Sequence, residues 1–222
     1  MNEQPAPDEE APSAAPRRVM LGMPIMDFKP DIAAVVGMMQ VVAAGAGSVI
    51  PSFRGGQSNI ALCRNEMAHI FLQSDCDTLV LVDSDIGFDL QDFTYLMEGD
   101  EQIVIASYAK KVLGMPPVDW GAGFCRIHRS VFEAMNNWRA ADGSEALHRF
   151  RFQGELATDF FFNGATPDMR WLSEDSGFWH WCSLLDLRMR RETRTRLVHY
   201  GRFGFRWPEQ IPGYTAPEEG AN

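Results

Sequence analysis

Paired cysteines are missing from this chain. The four present, Cys63, Cys76, Cys125 and Cys182, form no C-x-x-C pair, so nothing suggests a zinc knuckle or a thioredoxin-like centre. Each sits in an apolar or helical context and is expected as a buried free thiol in a reducing compartment. Positive charge is scarce. Lys and Arg number 20 against 30 Asp and Glu, a formal net charge of −10. That balance argues against coating nucleic acid by charge alone, while leaving room for a local basic groove. Long apolar runs are missing too. The longest, Ile32 to Ile50, is interrupted by Gln40 and carries Gly37, Gly45 and Gly47, whereas a membrane span needs about 20 cleanly apolar residues. It reads as a core helix, a glycine turn and a strand. Met1 to Pro16 is rich in proline, alanine and acid instead of basic then apolar. No secretory signal is expected there, and the segment reads as a solvated tail. There is no internal repeat.

What is present is an ordinary globular composition: 222 residues, 45% hydrophobic and 23% charged. This suits one domain with a substantial core. We expect a tail over 1–17, a folded domain over 18–206 and an extended, proline-bearing tail over 207–222. Within the domain, Arg18 to Pro24 reads as a strand, and Asp31 caps a helix from Ile32 to Ala44. Ser48 to Phe53 is a second strand, and Ser58 caps a helix from Asn59 to Gln73. Thr78 to Val82 and Gln102 to Ser107 are continuous apolar runs, the signature of strands buried on both faces, separated by a helix from Asp89 to Met97. This alternation implies an α/β domain with a largely parallel sheet. Then come a strand over Gly121 to His128, a helix over Arg129 to Trp138, loops with a short hairpin from Arg139 to Asp168, a helix over Ser176 to Leu184, and a late strand over Thr195 to His199.

Four places carry candidate chemistry. Asp83-Ser84-Asp85 closes a buried strand, where open α/β sheets bind ligands. Two adjacent carboxylates there are costly to ionise unpaired. A divalent cation such as Mn²⁺ or Mg²⁺, bridging them to phosphate oxygens, removes the conflict. A helix cap at Asp85 with a solvated Asp83 is the plainer alternative. Ser173-Glu174-Asp175 opens a helix, where acids serve as caps or, facing a hydroxyl, as a general base. His199 closes a strand, either as a third metal ligand or as a structural histidine. Arg64, beside Asn65, is either half of a surface pair or a guanidinium for diphosphate oxygens.

The order of these pieces resembles glycosyltransferases of the A fold, of the small, family-2-like phage or bacterial type. The resemblance runs from about Val19 to Gly204. Its pieces are Leu21-Gly-Met-Pro24, Ala61-Leu-Cys-Arg-Asn65, Thr78 to Phe88 with Asp-Ser-Asp, Ala106 to Lys111, Gly121-Ala-Gly-Phe, Ser173-Glu-Asp175 and Leu197-Val-His-Tyr-Gly201. It implies a Rossmann-like, mostly parallel central sheet flanked by helices, with a small antiparallel part on the acceptor side. It also implies a metal-dependent transfer from a nucleotide-diphosphate sugar, UDP-linked in metal-dependent members, with inversion favoured. Pro24 and Asp27 would lie near the base, Arg64 near the diphosphate, and Asp83, with Ser84, at the ribose and metal. Asp85 would ligate the metal, which His199 would complete. Gly121, Ala122 and Gly123 would let the backbone approach the sugar. Asp175 would be the catalytic base, with Glu174 beside it.

The sequence departs from the family at an unusually aromatic helix, Phe178-Trp-His-Trp181, and at Ala141 to Pro167, which matches nothing and fits a lid or acceptor loop. Arginines at 139, 149, 151, 188, 190, 191, 194, 196, 202 and 206 suit phosphates. Similar small enzymes of phages decorate hydroxymethylated DNA, so modified DNA joins a glycan, a lipid-linked sugar or a protein as a candidate acceptor. A flipped base could stack on Trp171, Trp179 or Trp181, although core packing explains these as well. The expected location is the cytoplasm, a host's if phage-encoded. A nucleotidyltransferase or a non-catalytic nucleotide-sugar binder is the competing class. The former would carry a glycine-rich phosphate loop after its first strand, and Pro24 to Lys29 has no glycine run.

Overall fold

The computed structural model describes residues 17–26, 29–56, 58–111, 117–166, 169–201 and 204–205, the last two by backbone alone. Asp27, Arg202, Arg206, residues 1–16 of the tail expected over 1–17, and the expected tail over 207–222 lie outside these residues. In chain order the elements are β1 (Val19–Ile25), α1 (Ile32–Ala44), β2 (Val49–Gly55), α2 (Ile60–Gln73), β3 (Thr78–Val82), β4 (Ile86–Gly87), α3 (Leu90–Met97), β5 (Ile103–Ala106), β6 (Phe124–His128) and α4 (Arg129–Asn137). They continue with β7 (Arg149–Phe152), β8 (Glu155–Thr158), β9 (Gly164–Ala165), β10 (Trp171–Leu172), α5 (Glu174–Leu184), β11 (Met189–Glu192), β12 (Val198–Tyr200) and β13 (Gly204–Phe205).

A six-stranded sheet in the order β11-β5-β6-β3-β1-β2 forms the centre. β1 pairs in parallel with β2 and β3, and β11 with β5, while β6 runs antiparallel to both β3 and β5. This is the mostly parallel, helix-flanked layout that the resemblance implies. Strand periodicity builds a core on each face. From β3, Leu79 and Leu81 enter one cluster with Phe71 of α2, Phe132 of α4 and Phe178 of α5. Val80 and Val82 point the other way, to Met38 of α1 and Leu96 of α3.

Local chemistry sets the helix starts. Asp31 caps α1, its carboxylate accepting from Ala33 N at 2.9 Å. Asp89 and Asp92 form a reciprocal capping box on α3. Two starts differ from expectation. The cap of α2 is Asn59, not Ser58, its side chain accepting from Leu62 N at 3.3 Å. Helix α5 begins at Glu174, two residues before the expected start, because Ser173 is its cap. Both acids therefore stand in the first turn, where the helix dipole favours them.

The expected hairpin is β7–β8, turning through Gln153 and Gly154, both at positive φ (50° and 89°), as a tight right-twisted hairpin requires. One strand was not anticipated. β11 is a polar edge strand, Met-Arg-Arg-Glu, with no apolar run to announce it. β4, β12 and β13 form a small antiparallel sheet. The late strand starts at Val198 rather than Thr195, because β12 extends only as far as its pairing with β4 and β13.

Candidate active site

At the carboxyl end of β3 the chain turns sharply, Ile86 N donating to Asp83 O at 3.0 Å and Asp83 N to Gly123 O at 2.7 Å. The turn opens an exposed cleft of about 690 Å³. Pro24, Arg64, Asp83, Ser84, Asp85, Glu174 and Asp175 all line it, together with Lys111 and Tyr200. Residues far apart in the chain thus meet where the parallel strands end.

Arg64 is the centre of this arrangement. Its side chain is 2% exposed, far from the surface pair that was one reading of its position. Nη2 donates to Asp83 Oδ1 at 2.7 Å, while Nη1 donates to Asp175 Oδ1 at 2.5 Å and to Glu174 Oε1 at 3.1 Å. Burial acts to lower the Arg64 pKa, but the charges of Asp83, Asp175 and Glu174 outweigh it and raise the pKa. The guanidinium expected near a diphosphate is engaged with three carboxylates.

Asp175 shows the opposite balance. Burial pushes its carboxyl above the usual range, partly opposed by Arg64 and reinforced by the charges of Glu174 and Asp83. A carboxylate raised in this way, at the edge of a cleft, has the character of a general base.

Asp85 faces elsewhere. Lys111 Nζ donates to its Oδ2, and His199 Nε2 lies 3.5 Å from its Oδ1. Burial acts upward on Asp85, but hydrogen bonds from His199 and Lys111 prevail and hold its carboxyl low. The pairing of β12 with β4 brings His199 here, with Tyr200 N donating to Asp85 O at 2.7 Å. His199 Nδ1 donates to Ala109 O at 2.8 Å. A carbonyl only accepts, so Nδ1 carries a proton; Nε2 donates to Asp85 when the ring is protonated and would offer its lone pair to a cation when the ring is neutral. An imidazole fixed through its other nitrogen is the usual posture of a metal ligand.

Among the described residues no group of three His, Cys, Asp or Glu converges on a metal position, because Asp83 turns to Arg64. Asp85 Oδ1 and His199 Nε2 nonetheless lie 3.5 Å apart, one carboxylate oxygen beside one ring nitrogen. That donor set fits a divalent cation whose other positions are filled by water and phosphate oxygens.

Gly121, Ala122 and Gly123 are buried behind the cleft. A Cβ at Gly123 would lie 2.6 Å from the Tyr108 hydroxyl oxygen and 2.8 Å from Asp83 Oδ2. Ala122 contributes a backbone hydrogen bond to Asp175. What this segment admits so closely is the protein's own tyrosine and carboxylate. Tyr108 is itself buried, and burial with the neighbouring charges of Asp83 and Asp175 keeps its hydroxyl protonated.

Lys111, Tyr108 and Tyr200 were given no role on sequence grounds. Lys111 and Tyr108 share the stretch after β5, and a lysine just past a buried strand end was the available signal. In the aromatic helix, Phe178 and Trp179 are core residues, Trp179 donating to Trp120 O at 2.5 Å. Trp181 is half-buried against Trp138 and Phe162, and Trp171 is exposed. The arginines are largely occupied. Arg190 and Arg194 hold buried Glu192, Arg188 pairs with Asp100, Arg191 with Asp119 and Arg149 with Glu145. No helix of the described residues is long and apolar enough to cross a membrane.

No family model matches the chain, and no curated protein matches it. Among solved structures it is similar to a glycosyltransferase involved in the glycosylation of the major capsid of PBCV-1. The identity there is 13% and the TM-score 0.33, over 51% of this chain and 62% of that one. It is also similar to a putative glucose-1-phosphate thymidylyltransferase from Bacillus anthracis in complex with a sucrose. That match has 11% identity and a TM-score of 0.34, over 80% of this chain and 69% of that one. The chain spans less than two thirds of the first of these structures. Likenesses this distant say nothing about the reaction.

Proposed function

We propose that the protein is a glycosyltransferase that moves a sugar from a nucleotide-diphosphate donor to an acceptor hydroxyl. The observation that carries this reading is the cleft, where strand-end Asp83 and helix-start Asp175 meet on one buried arginine and Asp85 stands beside them with His199. Asp175 Oδ1 is held by Arg64, the backbone of Ala122 also bonds the carboxylate, and the group lines the cleft that an acceptor would enter. As the acceptor oxygen attacks the anomeric carbon, its proton passes to Asp175, and the bond from that carbon to the diphosphate oxygen breaks. Attack from the face opposite the diphosphate inverts the anomeric centre. Glu174 reinforces the elevated basicity of Asp175 by its charge.

Asp85 and His199 would hold the Mn²⁺ or Mg²⁺, with Asp83 turned away from it and onto Arg64. The cation's contribution is to neutralise charge on the departing diphosphate. Arg64 is a positioning residue, fixing the base and the strand-end carboxylate together. Pro24 lines the cleft at the end of β1, where the nucleoside would sit. UDP is the donor nucleotide that the sequence resemblance favours. Pairing of Arg149, Arg188, Arg190, Arg191 and Arg194 with carboxylates lowers the electrostatic case for a DNA acceptor and favours a hydroxyl on a glycan, lipid-linked sugar or protein.

The test is thermal unfolding with a panel of nucleoside diphosphates, each with and without Mn²⁺. A ligand that binds only the folded state raises the midpoint. UDP with Mn²⁺ is expected to raise it, and either alone to do little. No shift from any nucleotide under any metal would refute the reading.

A further inference from the structure

Lys111 has no place in the chemistry described so far, although it stands on the carboxylate that would bind the metal. Both Asp85 oxygens face partners, Oδ2 the Lys111 ammonium and Oδ1 the His199 ring. Any cation arriving on Asp85 therefore competes with the lysine. The competitor is easily moved. Lysine is a point charge on a flexible stem, and the Lys111 and Asp85 side chains are 37% and 38% exposed, so solvent screens their attraction.

The charges of the cleft explain why a lysine is held there. Asp83, Glu174 and Asp175 share Arg64, which leaves Asp85 to Lys111. A divalent cation on Asp85 makes the ammonium redundant and repelled, and a diphosphate arriving with that cation offers it new acceptors. The position is also built. Ala109, two residues earlier, anchors His199 through its carbonyl, so one short stretch carries both the histidine's orientation and the lysine. The neighbouring Lys110 is exposed and does not line the cleft.

We propose that Lys111 is a ligand of the donor diphosphate, held on Asp85 as a resident counter-cation until donor and divalent cation arrive together. Its transfer from carboxylate to phosphate makes the two bind cooperatively. This rests on the glycosyltransferase reading of the cleft, and it adds a residue that binds the donor and a reason for the binding order.

The experiment is calorimetric titration of the full chain with Mn²⁺ alone and with UDP in the presence of Mn²⁺. It compares wild type, Lys111→Gln, Lys111→Arg and Lys110→Gln, with folding of each checked by its unfolding midpoint. Lys111→Gln is expected to bind Mn²⁺ alone about two- to fivefold more tightly, the scale of one exposed ion pair removed as a competitor. It should bind UDP with Mn²⁺ about tenfold more weakly, the scale of one lost charged hydrogen bond. Lys111→Arg and Lys110→Gln should match wild type. Mn²⁺ affinity unchanged or weakened in Lys111→Gln, UDP affinity unchanged in it, or the same effects in Lys110→Gln would overturn the proposal. A wild type to which no nucleoside diphosphate binds, whatever the metal, would instead overturn the glycosyltransferase reading itself.

Discussion

Arg64 Nη1 donates to Asp175 Oδ1 at 2.5 Å across 111 residues of sequence. This bond ties the second turn of α2 to the first turn of α5 and turns two separate acidic motifs into one site. Three carboxylates converge on a guanidinium that is almost wholly out of water.

Removing the guanidinium leaves those largely buried acids without their counter-charge at the wall of the cleft. Arg64→Met is therefore expected to lower the unfolding free energy by about 3–5 kcal/mol at neutral pH, as when one partner of a buried ion pair is deleted. The deficit should shrink as pH falls, because protonated carboxyls no longer need the arginine. Urea unfolding at neutral and mildly acidic pH measures both. A small, pH-independent loss would mean that Arg64 is replaceable packing.

The raised Asp175 carboxyl has a kinetic consequence. A base works only when deprotonated, so kcat/KM for transfer should fall as pH drops through a value above the ordinary aspartate range of about 3.9. Asp175→Asn is expected to lower kcat by about 10²–10⁴ while keeping Mn²⁺-dependent UDP binding. Unchanged turnover in that variant would remove the assignment of the base. The stability contribution of Asp175 has the sign of a raised acid: it is greatest at low pH and is lost as pH rises through the folded-state value.

Asp85→Ala should abolish stabilisation by UDP with Mn²⁺, and His199→Ala should weaken Mn²⁺ binding by about tenfold or more. Thermal midpoints and Mn²⁺ titration read these. A His199→Ala protein with unaltered Mn²⁺ affinity would show that the imidazole serves only its bond to Ala109 O and its packing on Tyr108.

Gly123→Ala tests the closeness of the wall behind the base. The added methyl would meet the Tyr108 hydroxyl oxygen and Asp83 Oδ2, and neither group lies in open solvent. A loss of about 1–3 kcal/mol in unfolding free energy is expected, the range for overpacking a filled interior. A variant as stable as wild type would mean that the wall is loose.

Much of the scaffold was legible in the sequence because its causes are local. The apolar runs of β3 and β5 can be buried only on both faces, so they mark central strands wherever the chain goes. Asp31 and Asp89 cap the helices that follow them through neighbours within three residues. The strand-end placement of Asp83 and Asp85 follows from the same pattern. β11 was not legible. Its Met-Arg-Arg-Glu has no periodic apolar signal, and it becomes a strand because the edge of β5 offers it hydrogen bonds and because Arg190 and Arg194 neutralise Glu192 once it is buried.

The sequence by itself determined the layered α/β frame and which acids stand at its strand and helix ends, since periodicity and capping act over a few residues. Only the tertiary structure decided which charges meet. It set Arg64 on Asp83 and Asp175 instead of at the surface, moved Lys111 onto Asp85, and packed Gly121 to Gly123 behind the base. Such pairings depend on which faces come together and on whether a buried charge finds its counter-charge there. No spacing along the chain encodes that.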